Sequence, residues 1–267
     1  VASFVAKADM ILIPMDNTQT NHLKAYGVAY WVLQRDVPVD WLLNYKGGSF
    51  ACEFNESIQK ECVLRQVAYQ IISDVQYNSI LLEISDNASN TDVVKLHKAP
   101  KVAVYTPKSK LPWDDAVTLA LEYAEIPYDK IYDKEILEGN LVMYDWLHLH
   151  HEDFTGQFGK FWRVYRNAQW YKEDVKMQLE MANALGFSKV SDLKLAVVQA
   201  IKSYVAAGGF LFAMCSAPDS FDVALAASDV DICMEMFDGD PIDPDAQNKL
   251  SQTLKLALIH MNMLFLI

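Results

Sequence analysis

Two short stretches of the sequence hold the side chains best suited to chemistry, and the first of them surrounds Cys215. Cys215 and Ser216 follow the apolar run 210–214 and precede Pro218. This order is typical of a buried strand that turns directly into a helix. At a helix N-terminus, free N–H groups and the helix dipole favour a thiolate and can hold an oxyanion. The pattern therefore predicts a nucleophilic cysteine at 215.

The second stretch holds groups that accept protons. His150, His151, Glu152 and Asp153 come directly after the apolar run 146–149. Histidine is the commonest general base in proteins. We expect one of these two histidines, or a histidine outside this sequence, to serve as the base for Cys215, and Glu152 belongs to the same candidate catalytic set.

Other polar residues also follow apolar runs and predict a binding surface. In open parallel sheets, ligands bind beyond the carboxyl ends of the strands, where loops from several strands meet. The candidate binding residues at these positions are Asp16, Gln19, His22, Gly47, Gly48, Ser49, Asp153, Ser216 and Asp219.

Two clusters contain metal-ligand types, although neither has a standard ligand spacing. A Zn²⁺ or other divalent site could draw on His150, His151, Glu152, Asp16 and His22. A Ca²⁺ site could draw on Asp238, Asp240, Asp243 and Asp245. Polar loop residues that bond one another, or a solvated acidic turn, explain the same residues. We expect no bound cofactor and keep the two metals as alternatives.

The composition indicates a folded, acidic protein. The chain has 267 residues, enough for two modest domains, and 52% of them are hydrophobic. Its 23 basic and 35 acidic residues give a formal net charge of -12, which disfavours nucleic acids and anionic membranes as partners. The longest apolar run, 254–267, is too short to span a bilayer and predicts a buried or partner-covered helix.

The chain alternates β-rich runs with helical patterns, which is typical of crossover units that feed a parallel sheet. Residues 1–98 predict a βαβαβ unit whose strands are 10–13, 39–45 and 80–84. Turn-forming residues and Pro100 place a boundary near residue 98, and a second α/β domain fills 99–267. Within it, the aromatic stretch 154–171 predicts an insertion that packs on the domain, or alternatively a stacking surface for bases or sugars.

A family resemblance rests on residues 208–218, with the sequence GGFLFAMCSAP. This segment resembles the strand, elbow and helix start of class I glutamine amidotransferases, and the likeness extends over about half of the chain. It implies a flavodoxin-like α/β domain with a parallel sheet, Cys215 as nucleophile and N–H groups near Ser216 as oxyanion donors. The family's glycines around the cysteine are replaced by Met214, Ser216 and Ala217, and no His-x-Glu pair follows Cys215. The implied Cys-His-Glu triad is therefore incomplete.

The whole chain also resembles a group of bacterial envelope-associated proteins that carry the label asparagine synthetase B. The likeness rests on residues 12–27, LIPMDNTQTNHLKAYG, and on residues 148–157, HLHHEDFTGQ. A true asparagine synthetase needs an N-terminal cysteine and a Ser-Gly-Gly-x-Asp-Ser pyrophosphate loop. Val1 and the 46–49 segment do not match either feature, so the resemblance does not imply ATP-dependent amidation.

The two resemblances together imply a noncatalytic, amidotransferase-like subunit of a bacterial cell-envelope complex, whose partners are other protein subunits. The alternative function is a cysteine-dependent, amidotransferase-like hydrolase that uses Cys215. The implied location is periplasmic or outer-membrane-associated, which suits the small apolar residues 1–8, and a cytoplasmic location is the alternative. In the periplasm Cys52 and Cys62 could form a disulfide; two half-buried thiols are the other interpretation.

Overall fold

A computed structural model describes residues 9–85, 90–107 and 115–250. The chain is an α/β protein that divides into two compact units. Among the described residues, the first unit comprises 9–100 and 115–127, and the second comprises 101–107 and 128–250. The segment 115–127, which the sequence analysis assigned to the second domain, belongs to the first unit. The apolar run 254–267 lies outside the described residues.

The first unit contains a five-stranded sheet with the order β4-β1-β3-β2-β5, and every neighbouring pair of strands is antiparallel. Its elements, in chain order, are β1 (Met10–Ile13), α1 (His22–Leu33), β2 (Val39–Leu43), β3 (Ser49–Glu53), α2 (Glu56–Leu64), β4 (Gln70–Ile72), α3 (Asp74–Ile84), β5 (Asp92–Leu96) and α4 (Ala116–Ala124).

The prediction of a parallel βαβαβ unit is therefore wrong for this part of the chain. The segment between β2 and β3 is a tight turn with positive φ at Asn44, Lys46, Gly47 and Gly48, and it reverses the chain into a hairpin. A Cβ atom on Gly47 would lie 2.4 Å from the Met15 carbonyl oxygen, so this turn requires glycine. The predicted strand 80–84 lies inside α3, because a short apolar run does not distinguish a strand from a helix.

The second unit contains a four-stranded sheet with the order β7-β6-β8-β9, and all three neighbouring pairs are parallel. This confirms the predicted parallel sheet for the second part of the chain. Its elements are β6 (Val102–Tyr105), β7 (Tyr128–Ile131), α5 (Asp133–Leu137), β8 (Trp146–Leu149), α6 (Trp162–Tyr165), α7 (Gln169–Ala184), α8 (Val190–Ala206), β9 (Phe210–Ala213), α9 (Ala217–Ala226) and α10 (Glu235–Asp238).

The core of the second unit lies between the sheet and α8. Leu193, Val197 and Ile201 recur at helical spacing on α8 and are fully buried with Leu147 and Leu149 of β8. The aromatic stretch divides between core and surface. Its buried members are Phe154, Phe158 and Tyr171, and its exposed members are Phe161, Tyr165 and Trp170.

Within the described ranges, no helix combines the length and the apolar character that crossing a bilayer requires.

Candidate functional site

Cys215 lies on the turn between β9 and α9, at the carboxyl end of an edge strand of the parallel sheet. Its φ of +59° is in the left-handed region, which residues with a side chain rarely adopt. The thiol is free and exposed. Ser216 is the N-cap of α9, and proline lies in the first turn of that helix. The chain therefore turns from strand to helix at an exposed cysteine whose backbone is strained.

The N–H groups at the start of α9 are only partly used by the protein. The Ala217 N–H donates to the His150 carbonyl oxygen at 3.0 Å, and Pro218 has no N–H. No described residue accepts a hydrogen bond from the Ser216 N–H. The amide directly after the cysteine is thus available to an anion beside the sulfur, which is the position of an oxyanion donor in strand-turn-helix nucleophile sites.

Backbone hydrogen bonds connect the loop after β8 to this turn. The Ser216 hydroxyl donates to the His151 carbonyl oxygen at 3.3 Å, and the Ser220 hydroxyl donates to the Glu152 carbonyl oxygen at 2.9 Å. The structure therefore brings the backbone of the predicted catalytic loop next to the cysteine turn, because β8 and β9 are parallel neighbours that end at the same edge.

The imidazole rings of His150 and His151 contact each other edge to face, with centroids 4.6 Å apart. Nδ1 of His150 and Nδ1 of His151 are 2.8 Å apart. The sulfur of Cys215 has no hydrogen bond to any residue in the described ranges. The arrangement thus supplies two candidate bases on the loop that neighbours the cysteine turn.

The two predicted aspartates at this edge differ in their environment. Asp153 is a loop-forming residue, since one carboxylate oxygen accepts from the Thr155 N–H at 2.7 Å and the other accepts from the Gly159 N–H at 2.5 Å. Asp219 is exposed in the first turn of α9. One turn further, burial raises the pKa of Asp222, and the charge of Asp219 adds to the effect.

A buried ion network, which the sequence analysis did not identify, lies at the same edge. Nζ of Lys194 is 2.9 Å and 3.0 Å from the two carboxylate oxygens of Asp133. The same nitrogen donates to the hydroxyls of Tyr105 at 2.8 Å and Tyr132 at 3.1 Å, and the Tyr105 hydroxyl donates to Asp133. Tyr105 ends β6 and Tyr132 follows β7, so the network joins two strand ends to α8.

Burial and charge fix the protonation of this network. Burial raises the pKa of Tyr105 far above its ordinary value, and the Asp133 carboxylate adds to the rise. Burial alone would lower the pKa of Lys194, but Tyr132, Asp133 and Glu152 outweigh it and the net pKa is raised. Lys194 is therefore protonated, Tyr105 is neutral, and the charge of Glu152 couples the catalytic loop to the network.

One sequence signal could have located this network. Lys194 lies among the apolar positions of α8 that face the core, where a lysine is expected only with a buried partner. The partners Tyr105 and Tyr132 lie at the carboxyl ends of strands, where functional residues of a parallel sheet are expected. The sequence does not show that both tyrosines contact the same lysine, which lies on a helix more than sixty positions further along the chain.

The predicted binding residues of the first unit build the turns that follow β1 and β2, at one edge of an antiparallel sheet. Gln19 donates to the Pro14 and Ala68 carbonyl oxygens at 3.0 and 3.1 Å. The Asp16 carboxylate accepts a hydrogen bond from the Thr18 N–H at 2.9 Å, and His22 Nε2 lies 3.0 Å from the Met15 carbonyl oxygen. The Ser49 hydroxyl donates to the Tyr45 carbonyl oxygen at 3.0 Å, beside the turn that contains Gly47 and Gly48. Since β1 and β2 are both antiparallel to β3, which lies between them, they end at the same edge, and there the Met15 N–H donates to the Lys46 carbonyl oxygen at 3.1 Å.

Two of the four predicted calcium ligands, Asp238 and Asp240, lie together in the structure, and Asp231 joins them. In the part of the chain that the structure describes, one group brings three possible ligands within 4.8 Å, and its members are Asp231, Asp238 and Asp240. Nζ of Lys189 lies 3.0, 3.3 and 2.6 Å from these three carboxylates, so an ammonium group occupies the position between them and offsets part of their charge. Asp243 pairs with Lys249, and Asp245 donates its N–H to Asp243. Among the residues that the structure describes, His150 and His151 belong to no group of three possible ligands.

Cys52 and Cys62 are free thiols in the structure, both buried. Burial raises the pKa of each to about 12, which makes both slow to react at neutral pH.

No protein-family model, curated protein or solved structure matches this chain. The interpretation of its function therefore depends on the geometry at the cysteine turn.

The strain at Cys215 makes a prediction about stability. Replacing Cys215 by glycine should raise the free energy of unfolding by about 1 kcal/mol relative to Cys215→Ala, because only glycine adopts a positive φ without a steric penalty. Urea unfolding of both variants and the parent chain measures this difference. Equal stability of the two variants would show that the turn carries no strain.

The buried network predicts a larger effect. Asp133→Asn should reduce the free energy of unfolding by about 3–5 kcal/mol, because it leaves a buried ammonium without its counter-charge. Combining Asp133→Asn with Lys194→Met should recover much of the loss, since no charge then remains buried. A double-mutant cycle in urea tests this, and additive losses would argue against a direct ion pair.

Proposed function

We propose that this chain is a cysteine-dependent hydrolase of the glutamine-amidotransferase type, with Cys215 as its nucleophile. The observation that carries the proposal is the exposed thiol on a strained strand-to-helix turn at the carboxyl edge of the parallel sheet. A non-glycine residue in the left-handed region persists where the surrounding structure holds it, and such residues cluster at active sites.

The strand order of the second unit supports a flavodoxin-like assignment for it. Counted from β6, the sheet reads 2-1-3-4, which agrees with the first four strands of the flavodoxin-type order 2-1-3-4-5. In that fold the ligand crevice opens where the strand order reverses, here between β6 and β8. The ends of these strands lead to Tyr105 and to the loop that carries His150 and Glu152.

The proposed reaction uses groups that the turn and the neighbouring loop supply. An imidazole of His150 or His151 takes the thiol proton, and the sulfur attacks the carbonyl carbon of a carboxamide. The developing oxyanion accepts a hydrogen bond from the Ser216 N–H. Collapse breaks the C–N bond, the same imidazole gives its proton to the leaving amine, and a thioester remains. Water then hydrolyses the thioester, and its proton returns through the imidazole to the sulfur.

A noncatalytic subunit of a bacterial envelope complex, periplasmic or outer-membrane-associated, is the second candidate. The exposed aromatic side chains favour it, because Phe161, Tyr165 and Trp170 contact one another at the surface. Contiguous exposed apolar surface of this kind marks interaction sites. The absence of a hydrogen bond between the Cys215 thiol and the described residues is also consistent with a noncatalytic role.

Alkylation separates the two candidates. With iodoacetamide at neutral pH, Cys215 of the folded protein should react about tenfold faster than in a urea-denatured sample, because an imidazole of the neighbouring loop takes the thiol proton as the sulfur attacks. Replacing both loop histidines, His150→Gln with His151→Gln, should remove most of this acceleration. Mass spectrometry of the labelled peptide measures the rate.

Cys215→Ala is the control, since the three remaining cysteines are buried and should label slowly in the folded protein. A folded Cys215 that reacts no faster than the denatured thiol would contradict the hydrolase proposal and leave the subunit role.

A further inference from the structure

A groove of about 420 Å³ runs along α7 on the surface of the second unit. One wall is a stripe of α7 residues that recur every three or four positions, namely Lys172, Val175, Lys176, Leu179 and Asn183. The opposite wall consists of Phe158, Trp162, Met236 and Phe237. From Lys172 to Asn183 the helix rises about 16 Å, at 1.5 Å per residue. The groove is therefore about three helical turns long.

The two walls present apolar side chains to the groove. Leu179 is 41% exposed and Met236 is 48% exposed. Trp162, Val175 and Phe237 are partly buried and pack against the core from below. The buried Gln178 and Ala182 anchor α7 to the unit, and Tyr171, also buried, lines the groove. An apolar stripe between ordered walls is the surface that an amphipathic helix covers in helix-in-groove recognition.

The rim of the groove is positively charged, although the chain as a whole has a net charge of -12. Its cations are Arg166, Lys172 and Lys176, and its one carboxylate is Glu180. Glu180 pairs with Lys176 at 3.8 Å on the exposed face of α7. Within the described ranges, neither Arg166 nor Lys172 has a carboxylate within 4.0 Å. The rim therefore attracts negative charge.

We propose that this groove binds an acidic amphipathic helix of a partner protein. The apolar face of that helix covers Trp162, Val175 and Leu179, and its flanking Asp or Glu side chains pair with Arg166 and Lys172. A membrane fits less well, because a net charge of -12 repels an anionic surface whereas a short peptide meets mainly the local field of the rim. This inference rests on the proposed subunit role and is independent of Cys215.

A pair of designed peptides tests the proposal. The probe is a fluorescent helix of about 15 residues with leucine at every third or fourth position and glutamate on both flanks; its partner has lysine in place of every glutamate. Fluorescence anisotropy with the full chain measures both affinities. The glutamate peptide should bind at least about tenfold tighter than the lysine peptide, and added salt should reduce the difference.

Variants with matched controls assign the binding to the groove. Leu179→Glu, and Arg166→Glu combined with Lys172→Glu, should each weaken the glutamate peptide about tenfold or more. Leu119→Glu on α4, and Lys60→Glu on α2 combined with Lys202→Glu on α8, place the same changes at exposed positions elsewhere and should have no effect. The Arg166→Glu and Lys172→Glu double variant should also bind the lysine peptide more tightly than the parent chain does. A variant whose groove had unfolded would not gain this affinity.

Three results would overturn the proposal. The first is equal affinity for the two peptides. The second is binding to phosphatidylglycerol vesicles that Leu179→Glu abolishes, without binding of the glutamate peptide, which would identify a lipid surface as the occupant. The third is self-association in sedimentation experiments that Leu179→Glu abolishes, which would identify a second copy of the chain. None of these results affects the alkylation of Cys215, so the hydrolase proposal stands or fails separately.

Discussion

The ion pair between Lys194 and Asp133 is the constraint around which the second unit is organised. A buried ammonium is tolerated only when every donor has a partner, and here the partners come from the end of β6 and from the segment after β7. The network therefore fixes the position of two strand ends relative to α8. Phe154 stacks on Tyr105 with ring centroids 5.1 Å apart, so the loop that carries the candidate catalytic residues rests on the same support.

This support explains how the turn at Cys215 can hold an unfavourable conformation. A left-handed residue with a side chain costs about 1–3 kcal/mol, which a short turn alone cannot sustain. The turn is held on both sides, by β9 in the parallel sheet and by hydrogen bonds from the start of α9 to the carbonyl oxygens of His150, His151 and Glu152. The cysteine and its candidate bases thus lie on neighbouring segments whose backbones are fixed.

The two candidate activities of the second unit use different elements. The cysteine turn draws on β8, β9 and α9, whereas the basic groove draws on α6, α7 and α10. The same aromatic stretch serves both parts of the unit, since Phe154 packs under the catalytic loop and Trp162 lines the groove. A hydrolase that is recruited by a partner helix and a noncatalytic docking subunit are both compatible with this arrangement.

By itself, the sequence determined the alternation of strands and helices, the parallel sheet of the second part and the position of Cys215 between a strand and a helix, because these follow from local periodicity and from Pro218 after an apolar run. It did not determine the antiparallel sheet of the first unit, because an apolar run does not reveal the direction of its strand within a sheet. A short run such as 80–84 also fits either a helix or a strand. Only the tertiary structure paired Lys194 with Asp133 and Lys189 with three aspartates. Such pairings join residues far apart in sequence, and the burial that makes them necessary exists only in the folded chain.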